Sequence, residues 1–154
     1  MLISNKLCME NLVDINENSK ISIPKPSKQH FCKIHSNLER LWKSEKSKKP
    51  VILLCTGSYN PVHNMHIRIF ELAKANLEAT TDFVVVGALI SPSHDQYVKY
   101  KLRKDHIHSK HRIELCKLAT ENSDFIEAWS WECEQQGERD TLFLVTLNFF
   151  FYFH

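Results

Sequence analysis

The sequence lacks the marks of several protein classes. Its five cysteines, Cys8, Cys32, Cys55, Cys116 and Cys133, are odd in number, widely spread and form no C-x-x-C pair. That pattern favours reduced thiols in a reducing compartment over a disulfide framework or a zinc ribbon. The first twenty residues, MLISNKLCMENLVDINENSK, hold no sustained apolar run of the signal-peptide kind. They are also too acidic and too poor in arginine for a transit peptide. No stretch reaches the roughly 20 apolar residues a membrane-spanning helix needs. The formal net charge is only +2, too small to argue for nucleic acid or an anionic membrane as the main partner. Internal repeats are absent. These absences point to an intracellular protein, nuclear or cytoplasmic, without nucleic-acid or membrane partners. They leave the oligomeric state open, a homo-oligomer included.

What is present is ordinary in bulk and specific in one place. The 154 residues, 43% apolar and 25% charged, suit one soluble domain with a real core. Residues 1–49 read as a flexible arm, polar and proline-containing to about residue 27, then a short amphipathic helix. Phe31, Ile34, Leu38, Leu41 and Trp42 set that helix, and packing on the main domain is the expected use of its apolar face. KSEKSKKP (43–50) follows as a lysine-rich, solvated linker, with nuclear localisation as its less favoured reading. Residues 50–142 form the main domain, and 143–154 an atypical hydrophobic tail. TLFLVTLNFFFYFH (141–154) holds five phenylalanines and no charged side chain before its terminal histidine. It is expected either to pack against the sheet or not to be the natural continuation of the fold.

The informative stretch is VILLCTGSYNPVHNMHIRIFELAK, residues 51–74. Val51 to Cys55 form an apolar run of strand type, and Gly57, Ser58, Asn60 and Pro61 bring turn chemistry at once. Asn64 is a candidate N-cap, and Ile69, Phe70, Ala73 and Leu77 then recur at helical spacing. FVVVGALI (83–90) is a second buried strand, so the unit is strand–helix–strand with parallel, doubly covered strands and an expected right-handed crossover. The site of such a unit lies at the carboxyl edge of the strands, placing Thr56–His66 beside the loop after Ile90. There the free N–H groups of a first helical turn and the positive end of the helix dipole attract anions. His63 and His66 add side-chain donors at the same spot.

The segment SPSHDQYVKYKLRKDHIHSKH (91–111) reads as a long loop whose Lys99, Lys101, Arg103 and Lys104 suit phosphates or plain solvent equally. A helix over about 109–122 and a short third strand over 125–129 complete the pattern. His111 and Arg112 open that helix, facing phosphates or serving as a cap. His63, His66, His94, His106, His108 and His111 lack cysteine or carboxylate ligands at set spacing, so a polar region is preferred to a zinc cluster.

GSYNPVHNMHIRIFELA resembles the pattern G-S-F-N-P-x-x-N-M-H-L-R-x-F-E-L-A of the eukaryotic nicotinamide mononucleotide adenylyltransferases, within the nucleotidylyltransferase superfamily. ISPSHDQY (90–97) is similar to that family's I-S-P-x-x-D-x-Y, and the likeness runs over about residues 50–142. The N-M-H-x-R-x-F-E-L-A run argues against a cytidylyl or pantetheine-phosphate enzyme. The resemblance implies an α/β, Rossmann-like parallel sheet with flanking helices. It implies transfer of the adenylyl group of ATP to nicotinamide mononucleotide, with Mg²⁺ accompanying ATP and few or no protein ligands for it. Carried over by position, His66 meets the ATP phosphates and His63 fills the first signature position. Gly57 and Ser58 contact the nucleotide, Lys99 follows the loop tyrosine Tyr97, and Thr141 borders the nicotinamide pocket. The family's tryptophan three residues before that threonine is Glu138 here, which leaves Trp129 or Trp131 to supply a stacking surface. The family also continues into an I-S-S-T-x-x-R-like motif for the triphosphate that does not occur in these 154 residues. The C-terminal part of the fold is therefore expected to be missing, with nucleotide binding without turnover as the alternative activity.

Overall fold

The fold is organised by two neighbouring parallel strands, β1 (Lys49–Gly57) and β2 (Phe83–Pro92). The computed structural model describes residues 31–44, 47–134 and 151–152. β1 pairs with β2 from Lys49↔Phe83 to Gly57↔Pro92, and β2 pairs in parallel with β3 (Ile126–Ala128). On its other edge β1 meets a two-residue antiparallel strand, β4 (Phe151–Tyr152), giving the order β3-β2-β1-β4. The expected α/β sheet of Rossmann-like type is the one observed. Strand runs longer than the apolar core alone suggested: β1 takes in Lys49 and Pro50 from the expected linker, and β2 continues to Pro92.

Helices cover the sheet because each buries one face on it. α1 (Cys32–Ser44) lays Ile34 on β2, and α2 (Asn64–Thr80) buries Phe70 in the core that also holds Val51 of β1 and Val85 of β2. The core joins Val51, Phe70, Val85, Ala88, Ile90, Cys116, Phe125 and Ile126. Ile69, expected in this core, is 52% exposed, while Ile67 and Leu77 pack against it. The buried stripe of α2 is thus set by Phe70, and Ile69 falls one position off it. α4 (Ser109–Thr120) buries Arg112, Cys116 and Thr120, and a single turn, α5 (Trp131–Glu134), follows β3.

A β-bulge explains why α1 docks where it does. Between Val51 and Ile52 the register jumps from Val85 to Gly87, so Val86 stands as an extra residue. Its carbonyl accepts from Asn37 Nδ2 of α1 at 3.0 Å. Beside it, Val85 N–H donates to Glu78 Oε1 at 2.9 Å, and its carbonyl accepts from Lys74 Nζ at 3.2 Å, both side chains of α2. The adjoining Gly87 leaves the hollow that Ile34 fills: a Cβ there would collide with Ile34 Cγ1. The N–H groups of Lys33 and Ile34, near the start of α1, donate to the Glu127 carboxylate of β3 at 3.4 Å each. Lys33 Nζ donates to Thr120 O at 2.6 Å and Ile126 O at 3.1 Å, closing the end of α4. The helix packs on the domain, as its pattern predicted.

The segment 91–111 departs from the expected loop. It folds as α3 (Asp95–Leu102) and a 3-10 turn, Arg103–Asp105. His94 caps α3, its Nδ1 accepting from Gln96 N–H at 3.2 Å, and Val98 anchors the helix from below. A single buried residue is too little to produce a visible helical period, which is why the sequence conceals it.

Candidate active site

Two strand ends meet at the carboxyl edge of the sheet, as expected. Ser93 N–H donates to Gly57 O at 2.8 Å, which holds the loop after β1 against the loop after β2. Tyr59 makes the first of these turns tight. Its φ of 42° lies in the left-handed region, and its buried ring folds back beneath Gly57. A Cβ on Gly57 would stand 3.2 Å from Tyr59 Cζ, so this close approach accounts for the glycine. The Tyr59 hydroxyl donates to Cys55 O at 3.0 Å, and burial, then this bond, push its pKa up. Asn60 reaches across the site edge, donating to Asp105 O at 2.8 Å and accepting from Ile107 N–H at 2.6 Å.

The expected cap at Asn64 moves back by one residue. α2 starts with Asn64 itself, and His63, in extended backbone, is the N-cap. His63 N–H donates to His66 Nδ1 at 3.1 Å, while His66 N–H donates to His63 O at 2.9 Å. The two rings stack with centroids 3.7 Å apart, and Tyr59 meets the His66 ring edge-on at 4.9 Å. Because Nδ1 accepts, the proton of neutral His66 sits on Nε2. Burial first, and the neighbouring His63 second, lower the His66 pKa below its ordinary value. The helix start therefore presents a neutral N–H donor beside the first-turn amides of Asn64 and Met65, a set of donors suited to anionic oxygens.

Arg112 carries the rest. It is fully buried, and its guanidinium donates to Ile107 O at 2.8 Å, Ser58 O at 2.7 Å and Ser93 O at 2.7 Å. It also pairs with Asp95 Oδ1 at 2.9 Å. Asp95 in turn accepts from Ser109 N–H at 2.6 Å and Ser109 Oγ at 2.8 Å, which caps α4 from another helix. Burial alone would raise the Asp95 pKa; bonds from Arg112 and Ser109 and the nearby His108 together hold it below its usual value. Of the two uses expected for Arg112, the cap falls to His108, and Arg112 serves instead as a buried clamp between the loops. Asp95, Asn60 and Tyr59 all lie in the matched motifs, Asn60 as a turn residue, but the sequence assigned none of them these contacts.

The predicted site residues divide. Gly57, Ser58, His63 and His66 come together around one turn, with Ser58 Oγ buried and unpartnered among the described residues. Lys99 sits on the exposed face of α3, and no contact among the described residues joins it to the histidine pair. Thr141 lies outside the described residues, as does Glu138. Trp129 and Trp131 stack with centroids 5.6 Å apart and planes 19° from parallel, at the end of β3 on the same edge of the sheet. Next to them Glu132 is buried, and burial raises its pKa to about 7 against the opposing pull of the His94 amide, Ser93, Ser91 and Arg112. Among the described residues no group of three His, Cys, Asp or Glu side chains is placed to hold a metal ion. Within the same residues no helix is long and apolar enough to cross a membrane.

Comparison with known proteins agrees with this architecture. The chain is 46% identical over 98 residues to nicotinamide/nicotinic acid mononucleotide adenylyltransferase 2 of Xenopus tropicalis. It is 42% identical over 98 residues to nicotinamide/nicotinic acid mononucleotide adenylyltransferase 1 of Bos taurus. With the corresponding protein of Oryza sativa subsp. japonica it shares 41% over 95 residues. These matches cover 64%, 64% and 62% of this chain and 31%, 33% and 36% of the relatives. The chain thus spans about a third of the length of the curated relatives it matches. The cytidylyltransferase-like family model matches residues 54–150, from the middle of β1 onward, and the chain accordingly belongs to that family.

Proposed function

We propose that this chain carries the nucleotide phosphate site of a nicotinamide mononucleotide adenylyltransferase. The reaction joins ATP and nicotinamide mononucleotide, giving NAD and pyrophosphate, and the names of the relatives extend it to the nicotinic acid form. A phosphate oxygen of the mononucleotide attacks the α-phosphorus of ATP, and the bond from that phosphorus to the pyrophosphate oxygen breaks. The attacking oxygen is already ionised at neutral pH, so no general base is needed. Catalysis then rests on alignment and on donors placed where charge accumulates.

The single observation that carries the reading is the His63–His66 pair at the start of α2, directly after Gly57 and Ser58. In this reading His66 Nε2–H donates to an ATP phosphate oxygen, and the first-turn amides of α2 share the same anion. His63 keeps His66 in the donating tautomer through its backbone N–H. Gly57 permits close approach, the unpartnered Ser58 hydroxyl supplies a further donor, and Lys99 adds positive charge from α3. Thr141 and the Trp129–Trp131 pair are assigned to the pyridine side. Nucleotidyltransferases usually use a divalent metal. The described side chains do not fit a metal cage, and Asp95 is occupied by Arg112 and Ser109, so Mg²⁺ enters with ATP as part of the substrate.

The test is to mix the purified chain with ATP, nicotinamide mononucleotide and Mg²⁺ and to measure NAD. His66→Ala should lower turnover by about 10²- to 10³-fold, the usual effect of losing one such donor. Unchanged turnover in the variant would refute the assignment. Binding of both nucleotides without NAD formation would support the second reading, a nucleotide-binding protein without turnover. The third of the relatives' length that this chain spans makes the separate binding measurement necessary.

A further inference from the structure

Three loops meet at the carboxyl edge of the sheet, and Arg112 ties the first two through Ser58 O and Ser93 O. The third, after β3, is fastened to the second by a different set of contacts. Trp129 N–H donates to Ile90 O at 2.9 Å, and Cys133 Sγ, in the single turn of α5, donates to Pro92 O at 2.8 Å. Between these two contacts Glu132 is only 6% exposed, and the His94 amide and the Ser93 hydroxyl bond to its carboxyl. Ser91 Oγ acts on the same carboxyl from outside bonding geometry: it and Glu132 Oε2 are both buried without a hydrogen-bond partner among the described residues.

We infer that Glu132 is a positioning residue of the site: its neutral carboxyl latches the loop after β3 onto the loop after β2, and ionisation of that carboxyl loosens the latch. The surroundings suit the neutral form. The Arg112 guanidinium acts on Glu132 but gives its bonds to Ile107 O, Ser58 O, Ser93 O and Asp95 Oδ1. Tyr59 from the loop after β1, Cys116 of α4 and the adjacent Cys133 keep their protons, because burial pushes each pKa up. The His66 ring of α2, which meets Tyr59, is neutral, the His94 ring caps α3, and Asp95 adds a negative charge. A carboxylate oxygen removed from water and left unbonded is costly, whereas the neutral acid carries an O–H for the same surroundings. Burial accordingly raises the Glu132 pKa from 4.5 to about 7. The folded value lies above the unfolded one, so the latch stabilises fully below about pH 4.5, and that contribution is lost as pH rises through about 7. The consequence for nucleotide affinity rests on the functional reading above; the latch itself does not.

Three measurements on the full chain test this. Carboxyl resonances followed by nuclear magnetic resonance in the wild type should give Glu132 a midpoint near 7, and a midpoint in the ordinary carboxylate range would overturn the proposal. Protection of the Trp129 amide against hydrogen exchange should fall through the same midpoint. In Glu132→Gln, which keeps the shape and carries no charge, that protection should stay level, and equal falls in both chains would overturn the latch. Calorimetry should find wild-type affinity for MgATP about 3- to 10-fold weaker at about pH 8.5 than at about pH 6, beyond any change in Glu132→Gln, the range expected when a loop side chain must be ordered again on binding. Comparison with the variant removes the titration of ATP and of the histidines. A difference between the two chains that is the same at both pH values would mark general destabilisation and reject the positioning role. A latch that titrates as expected in a chain that binds no MgATP at either pH would reject the functional reading alone.

Discussion

Replacing Arg112 by Met removes a side chain that touches both site loops and two helices. Methionine fills much of the same volume, so the perturbation is chiefly polar. Four hydrogen bonds disappear, and the carbonyls of Ser58, Ser93 and Ile107 lose donors. A buried acceptor left unsatisfied costs about 1–3 kcal/mol, and breaking a buried ion pair typically costs about 3–5 kcal/mol in all. Two facts reduce the sum below simple addition. Asp95 keeps both bonds from Ser109, and its side chain is 22% exposed, so water reaches it. A loss of about 3–5 kcal/mol remains the expectation, a large share of the roughly 5–15 kcal/mol stability of an ordinary domain. Urea unfolding at pH 7, followed by circular dichroism, measures it. Arg112→Lys should recover less than half of the loss, because an ammonium cannot reproduce the fork that spans Ser58 and Ser93. A cycle with Asp95→Asn should show a coupling of about 1–3 kcal/mol. If Arg112→Met costs under about 1 kcal/mol, the guanidinium is not what holds the loops together.

Three further expectations follow from the same geometry. Gly87→Ala should destabilise by about 1–3 kcal/mol through its collision with Ile34, and Ile34→Ala in the same chain should relieve part of that loss; strict additivity in thermal unfolding would contradict the packing. The His66 ring should titrate below 6.5 by nuclear magnetic resonance, and His63→Gln should move its midpoint upward; a wild-type midpoint above 6.5 would refute the burial described for it. Asp95 has a folded pKa below its unfolded value, so its contribution to stability is present above about pH 4 and is lost as pH falls through the lower folded value. Stability measured from pH 5 downward should consequently fall less steeply in Arg112→Met than in the wild type, and equal slopes would count against the pairing.

The strands and the first helix were legible because their signals are local. Val51–Cys55 and Phe83–Ile90 are continuous apolar runs, and the Gly57–Pro61 turn separates strand from helix unambiguously. The site's position followed from the parallel arrangement of those two runs. What could not be read are the contacts made across the chain. Asp95 and Arg112 are seventeen residues apart and look like surface charges until α3 and α4 bring them together. Asn60 looks like a turn residue, yet its side chain bridges to residues 105 and 107. The shift of the helix cap from Asn64 to His63 has a similar origin. His66 reaches back to the cap amide, a role usually given to Glu or Gln at that position, so the residue types gave no familiar signature.

The bulge at Val86 has a consequence for how this chain tolerates insertion and deletion. Side chains alternate along a strand, so an extra residue resets which direction every later one faces. Ile90, Ser91 and Ser93 lie downstream of it, and their orientation at the carboxyl edge depends on that count. A substitution at Val86 would be a local matter of fit. Loss of Val86 alone would leave Val85 opposite Val51 and Gly87 opposite Ile52, so the far end of the strand would stay in place; loss or gain of one residue beyond Gly87 would instead turn the rest of β2 over. Beyond the bulge, spacing constrains this segment more strictly than identity does.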